Sequence, residues 1–363
     1  MIVKSLACAL FALGALAPPA ARAADAPVGF TTIGVPGNTA LRGDAANHLS
    51  VTVWYPAPAG TPTQALDIGP PGTPFFSEGS AAPDAPLAET APLPFVVVSH
   101  GTGGTSMDLS WLCSALAAHG YLVASVNHPG NNALEAPTVA GTTLWWMRAD
   151  DLSRTIDGVL ANPRFGPHVD RARIGAAGFS IGGYTVLALA GARGDAAQLQ
   201  AYCERKPQTP VCSGEATPTI PDIREQSVKL EASDPAYRAA LAANAQSHRD
   251  PRVKAVFSIA PAIGPAFVAA SLGEIAIPVE IVAGFGDPIV PVADNAIPDA
   301  LGIPNAQLTL LPKPVAHYTF LTNCAPAGAA RFAPICIDAG PERIAVHAAT
   351  SELAVSFFAR TLR

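Results

Sequence analysis

The sequence predicts an α/β fold in which a mostly parallel central sheet carries helices on both faces. Short apolar runs rich in β-branched residues alternate along the chain with segments whose apolar residues recur at helical spacing. The run at residues 95–99, FVVVS, is apolar almost throughout, which is typical of a strand covered on both sides. Strands that alternate with helices form parallel sheets, because each crossover helix returns the chain to the same end of the sheet.

The elements are predicted in chain order from these patterns. Residues 50–55, SVTVWY, alternate between apolar and polar positions and form the first strand. The later strands are nearly continuous apolar runs at residues 95–99, 121–126, 174–179, 252–259, 279–283 and 307–311. Helical spacing predicts helices at residues 108–119, 150–160, 183–190 and within 341–362. Residues 56–94 are rich in proline, glycine and alanine, and we expect them to be mostly loop.

Residues 191–250 interrupt the alternation of strands and helices. They separate the helix at residues 183–190 from the strand at residues 252–259, and they contain many charged residues. We expect either a cap inserted over a functional site or a solvated surface excursion unrelated to one. The remainder shows no internal repeat, and 49% hydrophobic residues allow a substantial core, so we expect residues 24–363 to form a single domain with this insertion.

Composition argues against two classes of partner. The formal net charge of −6 arises from a charged population of only 14%, and the 22 lysines and arginines form no basic run. A nucleic acid is therefore not an expected partner. Beyond the N-terminus no segment offers ~18 consecutive apolar residues, so we expect no stable insertion into a membrane.

The N-terminus is typical of a secretory signal at residues 1–23. Lys4 precedes an apolar stretch at residues 6–17, which is followed by two prolines and the small-residue sequence Ala21-Arg22-Ala23. Cys8 lies too early in this stretch to carry a lipid. We therefore expect a periplasmic or secreted protein whose mature chain begins near residue 24.

Cysteine usage agrees with export. Four of the six cysteines fall into two local pairs, Cys203 with Cys212 and Cys324 with Cys336, and we predict a short-loop disulfide for each. Cys113 lies in a helical pattern and is expected to be a buried, small apolar residue instead of a reactive thiol.

Residues 178–182, GFSIG, fit a nucleophile elbow, a sharp turn between a strand and a helix that presents a reactive serine. Small residues on either side of Ser180 relieve the crowding in such a turn. A glycine and serine loop without chemical use would give the same letters, but here a predicted strand precedes the run and a predicted helix follows it. Ser180 is therefore the predicted nucleophile.

A serine hydroxyl needs a base that takes its proton and a carboxylate that orients the base. His317 follows the last predicted strand, which is where this type of arrangement places its base. His347 is the alternative, but it falls within the terminal helix, where a structural histidine is the better interpretation. We predict His317.

The predicted carboxylate is Asp287, which comes after the strand at residues 279–283 and so lies at the edge of the sheet where loops converge. Asp294 and Asp299 are alternatives in the same region, and either could cap a helix instead. The chain order of Ser180, Asp287 and His317 is the order that the nucleophile elbow leads us to expect.

The tetrahedral intermediate of such a reaction needs donors for its oxyanion, and we predict the backbone N–H groups of Ile181 and Thr102. Thr102 belongs to residues 99–104, SHGTGG, whose glycines let the backbone turn its amides inward. A phosphate-binding loop is also glycine-rich, but this run lacks the Lys-Ser/Thr ending of a P-loop and the third glycine of a dinucleotide fingerprint. His100 is expected to be a structural partner in the loop.

Further residues are candidates for contact with a substrate, namely Gly101, His128, Trp145 and Trp146. His128 follows a predicted strand and is expected at the rim of a pocket, although each of these residues could serve packing or a turn instead. No cluster of His, Cys, Asp or Glu has the spacing of metal ligands, so we predict no metal and no cofactor.

Taken together, these motifs resemble the α/β-hydrolase superfamily, and more narrowly the bacterial group of predicted dienelactone hydrolases, which is similar to plasma-type platelet-activating-factor acetylhydrolases. The resemblance spans residues 28–360. It depends on the motifs at residues 99–104, 127–130, 148–157, 161–166, 178–182, 284–287 and 316–320. It implies ester hydrolysis by a serine nucleophile.

Two features differ from these relatives. Dienelactone hydrolases use a cysteine nucleophile, whereas position 180 is serine. The acetylhydrolases carry their acid one strand earlier, where this chain reads Ser258-Ile259-Ala260-Pro261 and has no carboxylate.

We therefore expect an exported serine carboxylester hydrolase that acts on short-to-medium acyl esters. The alternatives are a hydrolase of polymeric or lipid esters, of the cutinase or lipase type, or a peptidase. From another class, a catalytically silent binding protein could keep the same scaffold.

Overall fold

A computed structural model describes residues 26–43, 47–88, 92–213, 220–338 and 340–363 of the chain. The predicted secretory signal at residues 1–23, including Cys8, lies outside the described residues. In the described part of the chain, no helix has both the length and the apolar character that crossing a membrane requires.

The architecture is a sheet of ten strands with helices on both faces. In chain order the strands are β1 Val28–Pro36, β2 His48–Pro56, β3 Gln64–Ile68, β4 Phe76–Pro83, β5 Leu93–Ser99, β6 Leu122–Val126, β7 Val169–Phe179, β8 Val253–Ile259, β9 Val279–Gly284 and β10 Ala306–Leu311. Their spatial order is β10-β9-β8-β7-β5-β6-β2-β1-β4-β3. The six strands from β10 to β6 are parallel, and β2 joins them in antiparallel orientation. The predicted mostly parallel sheet is confirmed.

The helices are α1 Ser110–Ala118, α2 Val139–Thr143, α3 Met147–Ala161, α4 Ile181–Ala190, α5 Ala196–Arg205, α6 Pro210–Ser213, α7 Ile223–Ser233, α8 Pro235–Ala242, α9 Ala269–Leu272, α10 Ala296–Gly302, α11 Pro326–Arg331 and α12 Pro341–Thr361. Each predicted helix overlaps one of these. Helices α5 to α8 lie in the insertion at residues 191–250, of which residues 214–219 are outside the described part.

The segment that was expected to be mostly loop, residues 56–94, contains strands β3 and β4, so this prediction was wrong. Both strands lie at one edge of the sheet, and β4 pairs with β1 over only two residues, Gly29↔Ala82 and Phe30↔Pro83. Because such edge strands are half exposed and interrupted by glycine and proline, they lack the apolar periodicity that marks the central strands. Strand β1 was also not predicted.

The reason that β1 escapes prediction is visible in its pairing with β2. The two strands pair in register along their whole length, from Val28↔Pro56 to Pro36↔His48. A Cβ on Gly29 would lie 2.3 Å from the Tyr55 ring, so the glycine makes room for a large aromatic side chain of the neighbouring strand. A glycine inside a strand weakens its local signal, and the strand forms through tertiary packing.

Successive residues of the central strands point into two separate cores. In β5, Phe95 and Val97 join the core formed with α3 and α4, whereas Val96 and Val98 join the core formed with α1 and α12. This alternation explains why the run at residues 95–99 is apolar throughout, since neither face of the strand meets water.

Both predicted disulfides, Cys203–Cys212 and Cys324–Cys336, are present, and Cys113 is a buried free thiol in α1. The first disulfide lies in the insertion. The second closes the loop that carries α11, and this loop is attached to the β4 edge by a bridge between Phe76 and Cys324.

Helix α12 is held to the sheet by Phe358, which we expect to be a major contributor to stability. The side chain is fully buried and contacts the Phe257 and Tyr121 rings, and a Cβ on Gly175 would lie 2.7 Å from it. We predict that Phe358→Ala lowers the free energy of unfolding by about 3–5 kcal/mol, because it leaves a cavity in a closely packed core. Denaturant unfolding measures the change. Phe285→Ala is the control, since Phe285 is 56% exposed, and equal losses in both variants would contradict this description of the packing.

Candidate active site

Ser180 lies at the junction of a strand and a helix, in a backbone conformation that serine rarely adopts. Strand β7 ends at Phe179, helix α4 begins at Ile181, and Ser180 between them has φ 58° and ψ −122°. Only a glycine fits at the flanking position 182, where a Cβ would lie 2.1 Å from the Ser99 carbonyl oxygen. The structure therefore shows the strained turn that the GFSIG motif predicts.

Ser180, His317 and Asp287 form a continuous chain of hydrogen bonds. The Ser180 hydroxyl lies 2.9 Å from His317 Nε2, and His317 Nδ1 lies 2.7 Å from Asp287 Oδ2. This geometry suits a hydroxyl that donates to the imidazole and an Nδ1–H that donates to the carboxylate. All three side chains are buried, so these hydrogen bonds form in an environment that strengthens them.

The sheet brings the three residues together, because each follows the carboxyl end of a parallel strand. Ser180 follows β7, Asp287 follows β9, and His317 begins a short 3₁₀ helix, His317–Phe320, after β10. The Asp287 carboxylate is itself held in place, since its Oδ1 accepts hydrogen bonds from the backbone N–H groups of Ile289 and Val290 at 2.9 and 2.8 Å.

The alternatives considered for base and acid have other partners. His347, in α12, lies within hydrogen-bond distance of Glu78 and the Thr319 carbonyl, and its ring stacks on Trp111 at 4.4 Å. Asp294 accepts hydrogen bonds from Lys206 and Tyr202. Asp299 is fully buried in α10, and burial raises its pKa well above the usual range. None of them replaces a member of the hydrogen-bonded chain around His317.

The loop at residues 99–104 passes directly beside the nucleophile. A Cβ on Gly101 would lie 3.4 Å from the Ser180 Cβ, and Thr102 and Ile181 both line the cavity in which Ser180 lies. Within the described residues, the backbone N–H groups of Thr102 and Ile181 donate to no acceptor. Both amides are therefore available to a developing oxyanion.

His128 was expected at the rim of a pocket, but it is completely buried beneath the loop at residues 99–104. It lies 2.9 Å from Asp151 Oδ2 through Nδ1 and 2.9 Å from the Ser99 hydroxyl through Nε2. Burial, with the nearby charge of Arg148, lowers the pKa of His128 to about 3, so the ring is neutral near pH 7. The loop at residues 99–104 holds the residue there, since His100 Nε2 also accepts a hydrogen bond from the His128 backbone N–H at 3.2 Å.

The cavity at Ser180 is large, about 1240 Å³, and mostly apolar. Gly101, Trp145 and Trp146 are among the residues that line it, and their contact with a substrate stays a prediction. One wall, the cap wall, comes from the insertion, with Leu199, Tyr202, Val211, Ile223, Val228 and Leu241. A second wall, the aromatic wall, comes from the β3–β4 edge and the loop around α11, with Phe75, Phe76, Phe332 and Ile335.

Sequence reasoning missed the aromatic wall. The adjacent Phe75 and Phe76 in a segment otherwise rich in small residues are the available signal, but nothing local connects them to Phe332. In the structure the Phe332 ring lies 5.3 Å from Phe75 and 5.9 Å from Phe76. Described residues of the insertion, by contrast, line the cavity, and a cap over the site stays a prediction.

The ionisable acidic and basic side chains that line the cavity within the described residues are one carboxyl group, Asp108, the catalytic candidate His317, and three arginines, Arg148, Arg224 and Arg331. Among the described residues, no group of three or more His, Cys, Asp and Glu side chains could hold a metal ion.

Comparisons with known proteins concern the family and the fold of the chain. A family model described as "Serine aminopeptidase, S33" matches residues 90–315, which include Ser180 and Asp287 and end just before His317. Among solved structures, a ferulic acid esterase from Streptomyces cinnamoneus is similar, with 21% identity, a TM-score of 0.57, and coverage of 96% of this chain and 92% of that chain. At this identity the likeness concerns the fold alone. No curated protein matches the chain.

Asp108 is a carboxyl group in an unfavourable environment. Burial raises the pKa of Asp108 to about 6, and the Thr105 hydroxyl, which donates to its Oδ1 at 2.8 Å, compensates only in part. A carboxyl whose pKa is higher in the folded than in the unfolded protein stabilises the fold while it is protonated. This contribution is present below about pH 4 and is lost as the pH rises through about 6.

We predict that Asp108→Asn raises the free energy of unfolding at pH 8 by up to about 3 kcal/mol, because the amide avoids burying a charge and can still accept from Thr105. At pH 4 the variant and the original protein are expected to differ little. Denaturant unfolding at both pH values measures the effect, and Glu352→Gln, which neutralises an exposed carboxylate, is the control. A gain of the same size at both pH values would show that the charge of Asp108 is not its cause.

Proposed function

This chain belongs to the serine aminopeptidase S33 family of serine hydrolases and has the α/β-hydrolase fold, and we propose that it is an exported carboxylester hydrolase. The observation that carries the proposal is the chain of hydrogen bonds from Ser180 through His317 to Asp287, beside two backbone amides without acceptors. Export is supported by the two disulfides, which form and persist in oxidising compartments.

The proposed reaction has two halves. The Ser180 hydroxyl attacks the ester carbonyl while His317 takes its proton, and Asp287 stabilises the imidazolium that forms. The carbonyl oxygen becomes an oxyanion and accepts hydrogen bonds from the Thr102 and Ile181 amides. His317 then gives its proton to the leaving alcohol, and an acyl-enzyme remains. Water, activated by the same imidazole, attacks the acyl-enzyme and releases the acid.

The charges around the cavity favour an ester over the amino terminus of a peptide. An aminopeptidase has to hold a substrate ammonium group, which calls for an anionic partner close to the nucleophile. Among the described lining residues the only carboxylate is Asp108, and three arginines surround the same space. A cationic amine would be repelled there, whereas a neutral or anionic ester would not.

The size and composition of the cavity support bulky or aromatic esters in addition to short acyl esters. An acetyl or butyryl group fills a small part of about 1240 Å³, and the aromatic wall offers ring faces to a planar group. This favours, as a second candidate, hydrolysis of polymeric or aromatic esters. Esters of ferulic acid, after which the structurally similar esterase is named, belong to this class.

We predict that Ser180→Ala lowers the rate of p-nitrophenyl butyrate hydrolysis by about 10³-fold or more, because no other group can form the acyl-enzyme. The folded state should be retained, as judged by circular dichroism and thermal unfolding. Ser80→Ala, an exposed serine in β4, is the matched control and should be fully active. Labelling by a fluorophosphonate probe separates an enzyme from a silent binding protein, which would give no label in either variant.

The aromatic wall generates a second prediction, on specificity. Phe332→Ala is expected to lower kcat/KM for the ethyl ester of a hydroxycinnamic acid about three- to tenfold, because an aromatic contact contributes about 0.5–1.5 kcal/mol. The value for ethyl acetate should change less than about twofold, since this substrate does not reach the wall. Phe332→Tyr keeps the ring and is the control. Equal losses for both esters would argue against a binding role for Phe332.

A further inference from the structure

Arg148 is a buried cation that lies against the loop beside the nucleophile. It is the second residue of α3, only 2% exposed, and it lines the cavity at Ser180. Its guanidinium donates hydrogen bonds to the His100 carbonyl oxygen, to the Ser99 hydroxyl at 3.4 Å and to Asn131 Oδ1 at 3.3 Å.

Asn131 connects the Arg148 guanidinium to the backbone on the other side of Thr102. Its Oδ1 also accepts a hydrogen bond from the Gly103 N–H at 3.0 Å. The backbone is therefore held at His100 by Arg148 and at Gly103 by Asn131, and the Thr102 peptide lies between the two attachments. Gly101, Gly103 and Gly104 have no side chains that could hold this stretch, so its shape depends on such external contacts.

Arg148 has no carboxylate within ion-pair distance in the described part of the chain. The nearby Asp151 is already bound by both guanidinium nitrogens of Arg42, at 2.6 and 2.7 Å, and by His128. Burial lowers the pKa of Arg148 to about 9, so the side chain is still charged near pH 7. A buried charge without an ion-pair partner lowers the stability of the folded protein. Stability therefore does not explain Arg148, and we look for a functional role.

We propose that Arg148 is a positioning residue of the oxyanion hole: with Asn131 it orients the Thr102 amide, and its positive charge, which forms no ion pair within the described residues, favours the negative charge of the tetrahedral intermediate. This inference rests on the proposed function, because it assumes that Thr102 N–H binds the oxyanion. The charge acts when the oxyanion forms, so it lowers the barrier to reaction without strengthening the binding of the neutral ester.

The inference predicts that substitution of Arg148 or Asn131 lowers kcat and leaves KM nearly unchanged. Arg148→Met removes both the charge and the hydrogen bonds and is expected to lower kcat for p-nitrophenyl butyrate about 10²-fold, with KM changed less than about threefold. Arg148→Lys keeps a charge but cannot bridge His100 and Asn131 with a planar fork, and should lose about tenfold. Asn131→Ala removes the attachment at Gly103 alone and should also lose about tenfold.

The inhibition constant Ki of a transition-state analogue distinguishes a positioning role from a purely structural one, because a purely structural role would leave Ki unchanged. A trifluoromethyl ketone forms a tetrahedral oxyanion adduct with a serine hydrolase, so its Ki should rise in each variant by the same factor as kcat/KM falls. The matched control is Arg154→Met, one turn and a half further along α3, which should leave kcat and Ki unchanged. Thermal unfolding reports whether each variant is folded, and Arg148→Lys and Asn131→Ala decide the question if Arg148→Met does not fold.

The outcomes separate this inference from the proposed function. If the original protein hydrolyses the ester and Ser180→Ala does not, the proposed function stands. If folded Arg148 and Asn131 variants then keep kcat within about threefold of the original, or if their Ki values do not follow kcat/KM, Arg148 is a structural residue and the inference is overturned. An original protein without hydrolase activity would instead overturn the proposed function.

Discussion

The close approach of the loop at residues 99–104 to the turn at Ser180 is the constraint on which the rest of the site depends. The Ser99 carbonyl would collide with any side chain at position 182, and a Cβ on Gly101 would lie only 3.1 Å from the Phe179 ring. This close approach leaves little room for side chains near Ser180, which itself has a positive φ that an isolated chain would avoid. It also places the N-terminus of α4 and the glycine-rich loop on either side of the hydroxyl. The nucleophile and its two free amides are thus consequences of one packing contact.

Buried charge is arranged in two layers around this contact. In the inner layer, Asp287 accepts hydrogen bonds from His317 and two backbone amides, which fix the position of its carboxylate. In the outer layer, Asp151 compensates Arg42, and although burial acts in the opposite direction, Arg42 holds the pKa of Asp151 at about 2. With Asp151 engaged in this way, the neighbouring cation Arg148 has no anion of its own and faces the loop. The outer layer therefore contributes rigidity, through its ion pair, and a positive electrostatic field at the site, through Arg148.

The sequence predicts the parallel strands better than the edge formed by β1, β3 and β4, and there are physical reasons for this difference. Strand β9 before Asp287 and the second half of β7 before Ser180 are buried on both faces, so their apolar runs are visible without knowledge of their neighbours. Strand β10 before His317 lies at the other edge and is only partly buried, but its sequence still contains an apolar run. Strands β1, β3 and β4 form at an edge, through pairing with partners that a local pattern does not reveal. His128 was misplaced for a similar reason, because a residue after a strand can enter the interior or the pocket, and only the packing of loop 99–104 decides which.

Chemistry and specificity are therefore built from different parts of this chain. The reacting groups follow strands of the parallel sheet, whose geometry is shared by proteins with little sequence in common. The cavity walls come from the insertion at residues 191–250 and from the β3–β4 edge with the loop that carries α11. Each of these walls contains one of the two disulfides, and Cys203 and Cys212 themselves line the cavity. Under the proposed function, we therefore expect substrate choice to depend on these two walls, and the chemistry to depend on the sheet.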